Sequence, residues 1–236
     1  MTQTFTQEHK AKLEEYLATH PLSSGLGSKE SACSIAAINL AMTGTLTDEI
    51  PDCMSEVLGQ ATIDLQDAMP EEMRNSERYK ALLPEMAGTG RKHEQERLAI
   101  LLDWMWSVVL PKLQPFAERK GFGDAWKNMC QLETAASALA AAAAARTADV
   151  TRAADYAAAS NYAADAAADY ASAYAAAAAA AAADYADDAA YSYAAADYAA
   201  DAAAYAAADA GGDFWETVDP IGVLERMTYL NVETSK

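Results

Sequence analysis

The feature that most constrains the fold is the stretch from Asp124 to Ala210, which contains neither glycine nor proline. Within it, residues 134–210 are mostly alanine, the residue with the highest helix propensity, so helix is predicted throughout. A single straight helix over residues 134–210 would be about 115 Å long. We therefore expect it to fold back into two or three segments, with the weakest points at Ser160–Asn161 and in the Thr147–Thr151 region.

Tyrosines recur in this alanine-rich segment at heptad-like intervals. Tyr156, Tyr170, Tyr191, Tyr198 and Tyr205 are separated by 14, 21, 7 and 7 residues. This spacing predicts a helix seam that carries tyrosine, while the surrounding alanines let helix backbones approach closely. Units such as ADYAA also resemble those of five-residue β-solenoids. However, their central tyrosines are 6, 8, 15 and 13 residues apart, and this loss of register argues against a solenoid.

The acids of the segment point to a binding surface. Residues 134–210 contain ten aspartates and only two arginines, and so carry −8 of the formal net charge of −18. Three aspartate pairs have i,i+4 spacing, which destabilises a helix: Asp165/Asp169, Asp184/Asp188 and Asp197/Asp201. Such a face repels nucleic acid phosphates and attracts basic protein surfaces. The predicted partner-binding residues are Tyr170, Asp184, Tyr185, Asp187, Asp188, Tyr191, Asp197, Tyr198, Asp201 and Tyr205. Alternatively, the tyrosines only fill helix seams and the aspartates are only solvated.

The remaining chain predicts a conventional helical core. The large apolar side chains concentrate in residues 1–133. We predict an all-α protein with a helical domain over residues 1–130, an alanine-rich hairpin or bundle over 131–210, and a short docking helix within 211–236. Local signals place Ser28 as the N-cap of a helix over 29–43 that ends at Gly44, a kink or split at Pro111, and a last helix opened by Asp219-Pro220.

Two loops in the front half are candidate anion sites. Residues 23–31 and 88–93 each bring small residues, hydroxyls and cations to a predicted helix start, where free N–H groups favour anions. If the loops converge near Arg97, they could hold a phosphorylated, nucleotide-type small molecule, although neither matches a phosphate-binding motif. The candidate ligand-binding residues are Ser24, Gly25, Gly27, Ser28, Lys29, Ser31, Arg74, Arg78, Thr89, Gly90, Arg91, Lys92 and His93. The alternative is ordinary capping of two core helices.

Catalysis and membrane insertion have little support in the sequence. The only histidines are His9, His20 and His93, and the three cysteines lack metal-binding spacing. No nucleophile–base motif is present. We expect a protein that is not an enzyme, has no cofactor or metal, and carries reduced thiols in the cytoplasm. The N-terminus does not read as a signal peptide, and apolar runs outside the alanine segment are too short to span a bilayer.

Two segments carry a resemblance to other sequences. GLGSKESACSIAAINLAMTG and MPEEMRNSERYKALLPEMAGTGR, joined to the alanine/tyrosine/aspartate tail, resemble a group of uncharacterised alanine-rich proteins of phages and bacteria. The group brings no activity, so no functional residue is carried over. It implies a context in which small acidic proteins bind host defence components.

Two functional expectations follow from the acidic face and the loops. The first is a non-catalytic binding protein, such as a phage or prophage inhibitor of host defence, that acts through its acidic Tyr/Asp helical surface. The second is a protein that sequesters a phosphorylated small molecule at the two loops. The alanine-rich helices could also form a homo-oligomer.

Overall fold

The computed structural model describes residues 4–156, 175–185, 192–210 and 213–230, and over these ranges it contains helices and no strand. This confirms the predicted all-α class. None of the described helices combines the length and apolar character needed to cross a bilayer. The chain divides into two compact units, residues 1–100 with 219–236, and residues 101–218. These boundaries differ from the three segments drawn from the sequence.

The helices follow one another closely along the chain. In order they are α1 (Gln7–Thr19), α2 (Ser34–Thr43), α3 (Glu56–Ala68), α4 (Glu71–Arg74), α5 (Glu77–Met86), α6 (Glu94–Trp104), a π-helical turn (Met105–Val109), a 3-10 turn (Leu110–Leu113), α7 (Gln114–Lys120), α8 (Gly123–Leu132), α9 (Ala135–Tyr156), α10 (175–185), α11 (Ser192–Ala210), α12 (Phe214–Val218) and α13 (Pro220–Thr228). In the first unit, α1 packs on α2 and α5, α2 packs on α3, and α13 packs on both α3 and α5.

Helix α2 begins later than predicted. Its N-cap is Cys33, whose sulfur accepts a hydrogen bond from the Ala36 N–H at 3.4 Å. The prediction that Ser28 caps this helix is wrong, because residues 28–31 form a tight turn in which the backbones of Ser28 and Ser31 hydrogen-bond to each other. The predicted end is confirmed: Gly44 adopts a left-handed conformation, φ 73°, which glycine reaches without strain.

The predicted break at Pro111 is confirmed, and it leaves a backbone carbonyl available to a side-chain donor. Around it the α-helix gives way to the π-helical and 3-10 turns. There Leu110 N–H donates to the Met105 carbonyl and Gln114 N–H to the Pro111 carbonyl, so the carbonyl of Leu110 loses its usual i+4 partner. Instead, the indole N–H of the fully buried Trp126 donates a hydrogen bond to the Leu110 carbonyl at 2.8 Å.

The alanine-rich helices belong to the second unit. Helix α9 packs on α8, and α11 packs on the π-helical and 3-10 turns and on α12. Helix α9 continues through Thr147–Thr151, so the fold-back predicted there is wrong. The other predicted break, Ser160–Asn161, lies outside the described residues. The buried positions of α10 and α11 are alanines, whose small side chains allow close contact with neighbouring groups.

The last helix starts where the sequence predicts. Asp219 caps α13 by accepting a hydrogen bond from Gly222 N–H at 3.1 Å, and Pro220 occupies the first position. Arg78 of α5 binds both Asp219 and Glu225, with N–O distances of 2.7 and 2.6 Å. These contacts hold α13 against α5 within the first unit.

Candidate functional site

The predicted partner-binding residues that the structure describes come together at α10 and α11. Asp184 and Tyr185 are the last described residues of α10, and Asp197, Tyr198, Asp201 and Tyr205 lie along α11. The rings of Tyr185 and Tyr198 stack with centroids 5.7 Å apart and planes 8° from parallel. We call these six residues the tyrosine–aspartate face. The other predicted members, Tyr170, Asp187, Asp188 and Tyr191, lie outside the described residues.

Helical periodicity separates this face from the packed side of α11. Over residues 194–207, where burial is described, the fully buried residues of α11 are alanines: Ala195, Ala196, Ala199, Ala200, Ala202, Ala203 and Ala206. Tyr198, Asp201 and Tyr205 are spaced three and four residues apart, so they share another side of the helix. Tyr205 exposes 36% of its surface and Tyr185 exposes 38%. Among the described side chains of α11, alanine occupies the fully buried positions, while Tyr198 stacks on Tyr185 of α10; the tyrosine seam over the whole segment stays a prediction.

The carboxylates of the face repel one another. Asp197 and Asp201 are one helical turn apart, and Asp201 is half-buried. Burial raises the pKa of the Asp201 carboxyl, and the charge of Asp197 raises this pKa further. Among the described residues, no salt bridge within 4.0 Å reaches Asp184 or Asp201. A cation placed over the face would stabilise the ionised form of these aspartates.

The first predicted ligand loop, residues 23–31, binds the protein itself. Gly25 N–H donates to the Asp67 carboxylate at 2.7 Å, and the Ser23 hydroxyl donates to the Ser31 carbonyl at 2.8 Å. The Ser28 hydroxyl donates to Glu30 at 3.0 Å. The predicted residues Ser24, Gly27 and Lys29 lie in the same loop. At the start of α2, Ser34 N–H donates to the Gln66 side chain, so the protein already fills the position that an anion would take.

The second predicted loop, residues 88–93, lies at the N-terminus of α3, which is capped by the next residue, Glu94. The Glu94 carboxylate accepts hydrogen bonds from the Ser55 hydroxyl at 2.6 Å, Glu56 N–H at 3.0 Å and Val57 N–H at 3.1 Å. Within residues 88–93, the Thr89 hydroxyl accepts from Ser55 N–H, and Gly90 N–H donates to the Cys53 carbonyl. Two side chains of the loop form ion-pair contacts, Arg91 with Glu56 and His93 with Glu96, and the backbone carbonyl of Lys92 accepts a hydrogen bond from Arg97. Glu94 thus takes the place of an external anion.

The two loops do not form one site. Gly25 is bound near the C-terminal end of α3 and Glu94 at its first turn, about 16 Å apart along the helix at 1.5 Å per residue. Arg74 is buried and donates to the Gln66 and Met69 carbonyls, whereas Arg78 pairs with two carboxylates at α13. Arg97 is fully buried and donates to the Met227 carbonyl at the end of α13. The structure therefore does not bring the predicted phosphate-binding residues together.

Replacing Glu94 by glutamine tests this capping role. Glutamine keeps one acceptor oxygen but removes the negative charge at the α3 N-terminus, so we expect a loss of about 1 kcal/mol in the free energy of unfolding. Urea unfolding followed by far-UV circular dichroism measures it. Glu96→Gln is the matched control, because Glu96 lies exposed two residues away and contacts only His93 among these groups. Equal unfolding curves for wild type and Glu94→Gln would contradict the capping role.

Two clefts in the first unit run along α1. One of about 520 Å³ is lined by residues from the end of α1 and from α4 and α5, including Glu71, Glu72 and Lys80. A neighbouring cleft of about 260 Å³ is lined by Glu14 and Glu77 and shares Lys80 with the first. Lys80 donates to the Leu17 and His20 carbonyls at the end of α1. The glutamates of these clefts disfavour a phosphorylated ligand.

The histidines and cysteines have structural roles. His9 completes a capping box with Thr6, and His20 stacks on Tyr16 with ring centroids 4.4 Å apart. Burial raises the pKa of the thiols of Cys33 and Cys53, and raises that of Cys130 to about 11. The thiols are therefore protonated and weakly nucleophilic at neutral pH. Within the described ranges, no group of three His, Cys, Asp or Glu residues could hold a metal ion.

The tyrosine–aspartate face is the part of the predicted partner surface that the structure describes, and it contains the Tyr185–Tyr198 stack, whereas the two predicted phosphate-binding loops lie apart and several of their residues are engaged in hydrogen bonds and ion pairs. Its signal in the sequence was the combination of heptad-spaced tyrosines with like-charge aspartate pairs. Comparison of the chain with models of protein families, with curated proteins and with solved structures gave no match.

Proposed function

We propose that this chain is a non-catalytic binding protein that docks the basic surface of a partner protein on its tyrosine–aspartate face. The observation that carries the proposal is the stacked pair Tyr185–Tyr198, which joins two helices beside the carboxylates of Asp184, Asp197 and Asp201. Tyrosine is enriched at protein interfaces because its ring gives a large contact area and its hydroxyl can still hydrogen-bond.

The charge of the face supports a basic partner. The like-charge spacing of Asp197 and Asp201 destabilises their helix by roughly 0.2–0.5 kcal/mol. A positively charged surface would reverse this cost by pairing with the carboxylates. The net charge of −18 also attracts a basic partner over distance and speeds encounter at low salt.

The packing of α11 supports a preformed surface. Its alanine side is fully buried, so the helix that presents Tyr198, Asp201 and Tyr205 is held by contacts on its other side. A face on a packed helix loses less conformational entropy on binding than a loop does. The proposed biological role is inhibition of a host defence component by a phage or prophage protein. The resemblance of the sequence to alanine-rich phage and bacterial proteins supports it, and the acidic face would then occupy a basic surface of that component.

Removing three charges from the face tests the proposal. In the variant Asp184→Asn/Asp197→Asn/Asp201→Asn, we expect captured partner to fall at least tenfold, since neutral amides no longer attract a basic surface. The measurement is quantitative mass spectrometry of proteins retained from a bacterial lysate by the immobilised full chain at low salt.

The matched control removes the same number of charges elsewhere. Asp48, Asp52 and Asp124 are exposed and lie outside the face, so their conversion to asparagine changes net charge equally. This control should retain the partner, and circular dichroism should show that both variants fold. If the face variant captures as much partner as the control, the tyrosine–aspartate face is not the interface.

A further inference from the structure

We infer that the side chain recognised on the tyrosine–aspartate face is arginine rather than lysine, an inference that rests on the proposed function and specifies its chemistry. The relevant residues are Tyr198, Asp201 and Tyr205 of α11, together with Tyr185 of α10. They combine a half-buried carboxylate with aromatic rings, and the two cationic side chains differ most in how they interact with this combination.

The spacing along α11 puts the carboxylate between two aromatic residues. Asp201 follows Tyr198 by three residues and precedes Tyr205 by four, so the three share one side of the helix. Neighbours at these spacings have Cβ atoms about 5–6 Å apart. From Tyr198 to Tyr205 the line therefore extends about 10 Å along the helix at 1.5 Å per residue. A single long cationic side chain can contact the carboxylate and a flanking ring together.

The planar stack favours a planar cation. Tyr185 and Tyr198 lie 8° from parallel, with 5.7 Å between ring centroids. A guanidinium group is flat and delocalised, so it can extend such a stack while its N–H groups form two parallel hydrogen bonds to a carboxylate. An ammonium group is compact and can approach a ring only as a point charge.

The burial of Asp201 favours the cation that loses water more easily. Asp201 is half-buried, so a partner charge that pairs with it must shed part of its hydration shell. Guanidinium is more weakly hydrated than ammonium, and this lowers its desolvation cost at such a position. By contrast, Asp184 is exposed and would attract lysine and arginine about equally.

Two peptides of equal charge test the inference on the intact chain. Fluorescently labelled nona-arginine and nona-lysine are titrated with the protein at low salt, and fluorescence anisotropy gives the two dissociation constants. We expect nona-arginine to bind at least tenfold more tightly. The variant Tyr198→Leu/Tyr205→Leu keeps every carboxylate but removes two rings, so it should weaken nona-arginine binding at least fivefold and leave nona-lysine binding within twofold of wild type.

Controls separate this inference from the proposed function. Tyr198→Phe/Tyr205→Phe retains the rings and should retain the preference for arginine, and Tyr229→Leu removes an exposed tyrosine elsewhere and should change neither constant. If the two peptides bind the wild type equally and both lose affinity in the Asp184/Asp197/Asp201 variant, the arginine inference is overturned and the proposed function stands. If that variant binds both peptides like wild type, the proposed function fails as well. The comparison of the two peptides on the wild-type chain uses no variant. Its outcome therefore does not depend on whether a variant folds.

Discussion

Replacing Trp126 by alanine is expected to lower the free energy of unfolding of the second unit by about 3–5 kcal/mol, the usual cost of removing a buried tryptophan. Trp126 is fully buried and packs edge-on against Phe122, with ring centroids 6.0 Å apart. Its indole N–H also donates to the Leu110 carbonyl at 2.8 Å. The alanine variant therefore loses packing and leaves a buried carbonyl without a partner.

Trp126→Phe separates these two contributions. Phenylalanine keeps most of the apolar volume but cannot donate to the Leu110 carbonyl, so it should still cost about 1–3 kcal/mol. The matched control is Trp215→Phe, since Trp215 is also buried and, within the part of the chain that the structure describes, no hydrogen bond involves its indole N–H. This control loses the same atoms and should lose less stability.

Tryptophan fluorescence during urea unfolding measures these changes selectively. The four tryptophans, Trp104, Trp106, Trp126 and Trp215, all lie between residues 101 and 218, so the signal reports the second unit. Each variant at position 126 retains three of them. If Trp126→Phe and Trp215→Phe shift the unfolding midpoint equally, the hydrogen bond to Leu110 does not explain the role of Trp126.

Local rules in the sequence predicted the helix boundaries that depend on one or two adjacent residues. Gly44 ends α2 because glycine reaches the left-handed conformation without strain, and Asp219-Pro220 opens α13 because both residues suit a helix start. Pro111 disrupts its helix because it lacks an N–H group. These features require no knowledge of distant contacts.

Boundaries and sites that depend on distant partners were not predictable in the same way. Ser28 is a better N-cap by residue type than Cys33, yet the turn formed by residues 28–31 moves the helix start to Ser34. Glu94 has no local signature as a cap of α3, because it lies 39 residues from Ser55. At the loops of residues 23–31 and 88–93, two of the carboxylate partners lie far away in the sequence: Asp67 is 42 residues from Gly25, and Glu56 is 35 residues from Arg91.

For the tyrosine–aspartate face, spacing along the sequence predicted which residues share a side of the helix, but not how deeply each of them is buried. The i,i+4 spacing of Asp197 and Asp201 predicted from sequence alone that one side of α11 is acidic, and the structure places both residues at partly buried positions. The heptad spacing of tyrosine predicts a helix seam that carries tyrosine, and the described residues contain one such contact between helices, the Tyr185–Tyr198 stack. The fully buried side of α11, which includes Ala199 and Ala203, carries alanine, because small side chains allow close packing there.

Placing leucine at both Ala199 and Ala203 is expected to destabilise the second unit by about 2–6 kcal/mol, since each overpacked core position typically costs about 1–3 kcal/mol. Both alanines are fully buried on α11, which packs on the π-helical and 3-10 turns formed by Met105–Leu113. Leucine has nearly the helix propensity of alanine, so the expected loss comes from packing rather than from weaker helix formation. Tryptophan fluorescence during urea unfolding measures it.

The matched control places leucine on the same helix at Ala204 and Ala207, which are partly exposed. These side chains can extend toward solvent, and we expect stability within about 1 kcal/mol of wild type. The contrast between the two pairs isolates burial, because helix, substitution and number of added atoms are identical. Equal stability of the two variants would mean that the packed side of α11 accepts large side chains. Alanine would then not be needed for close packing there, and the rigid support proposed for the tyrosine–aspartate face would lose its physical basis.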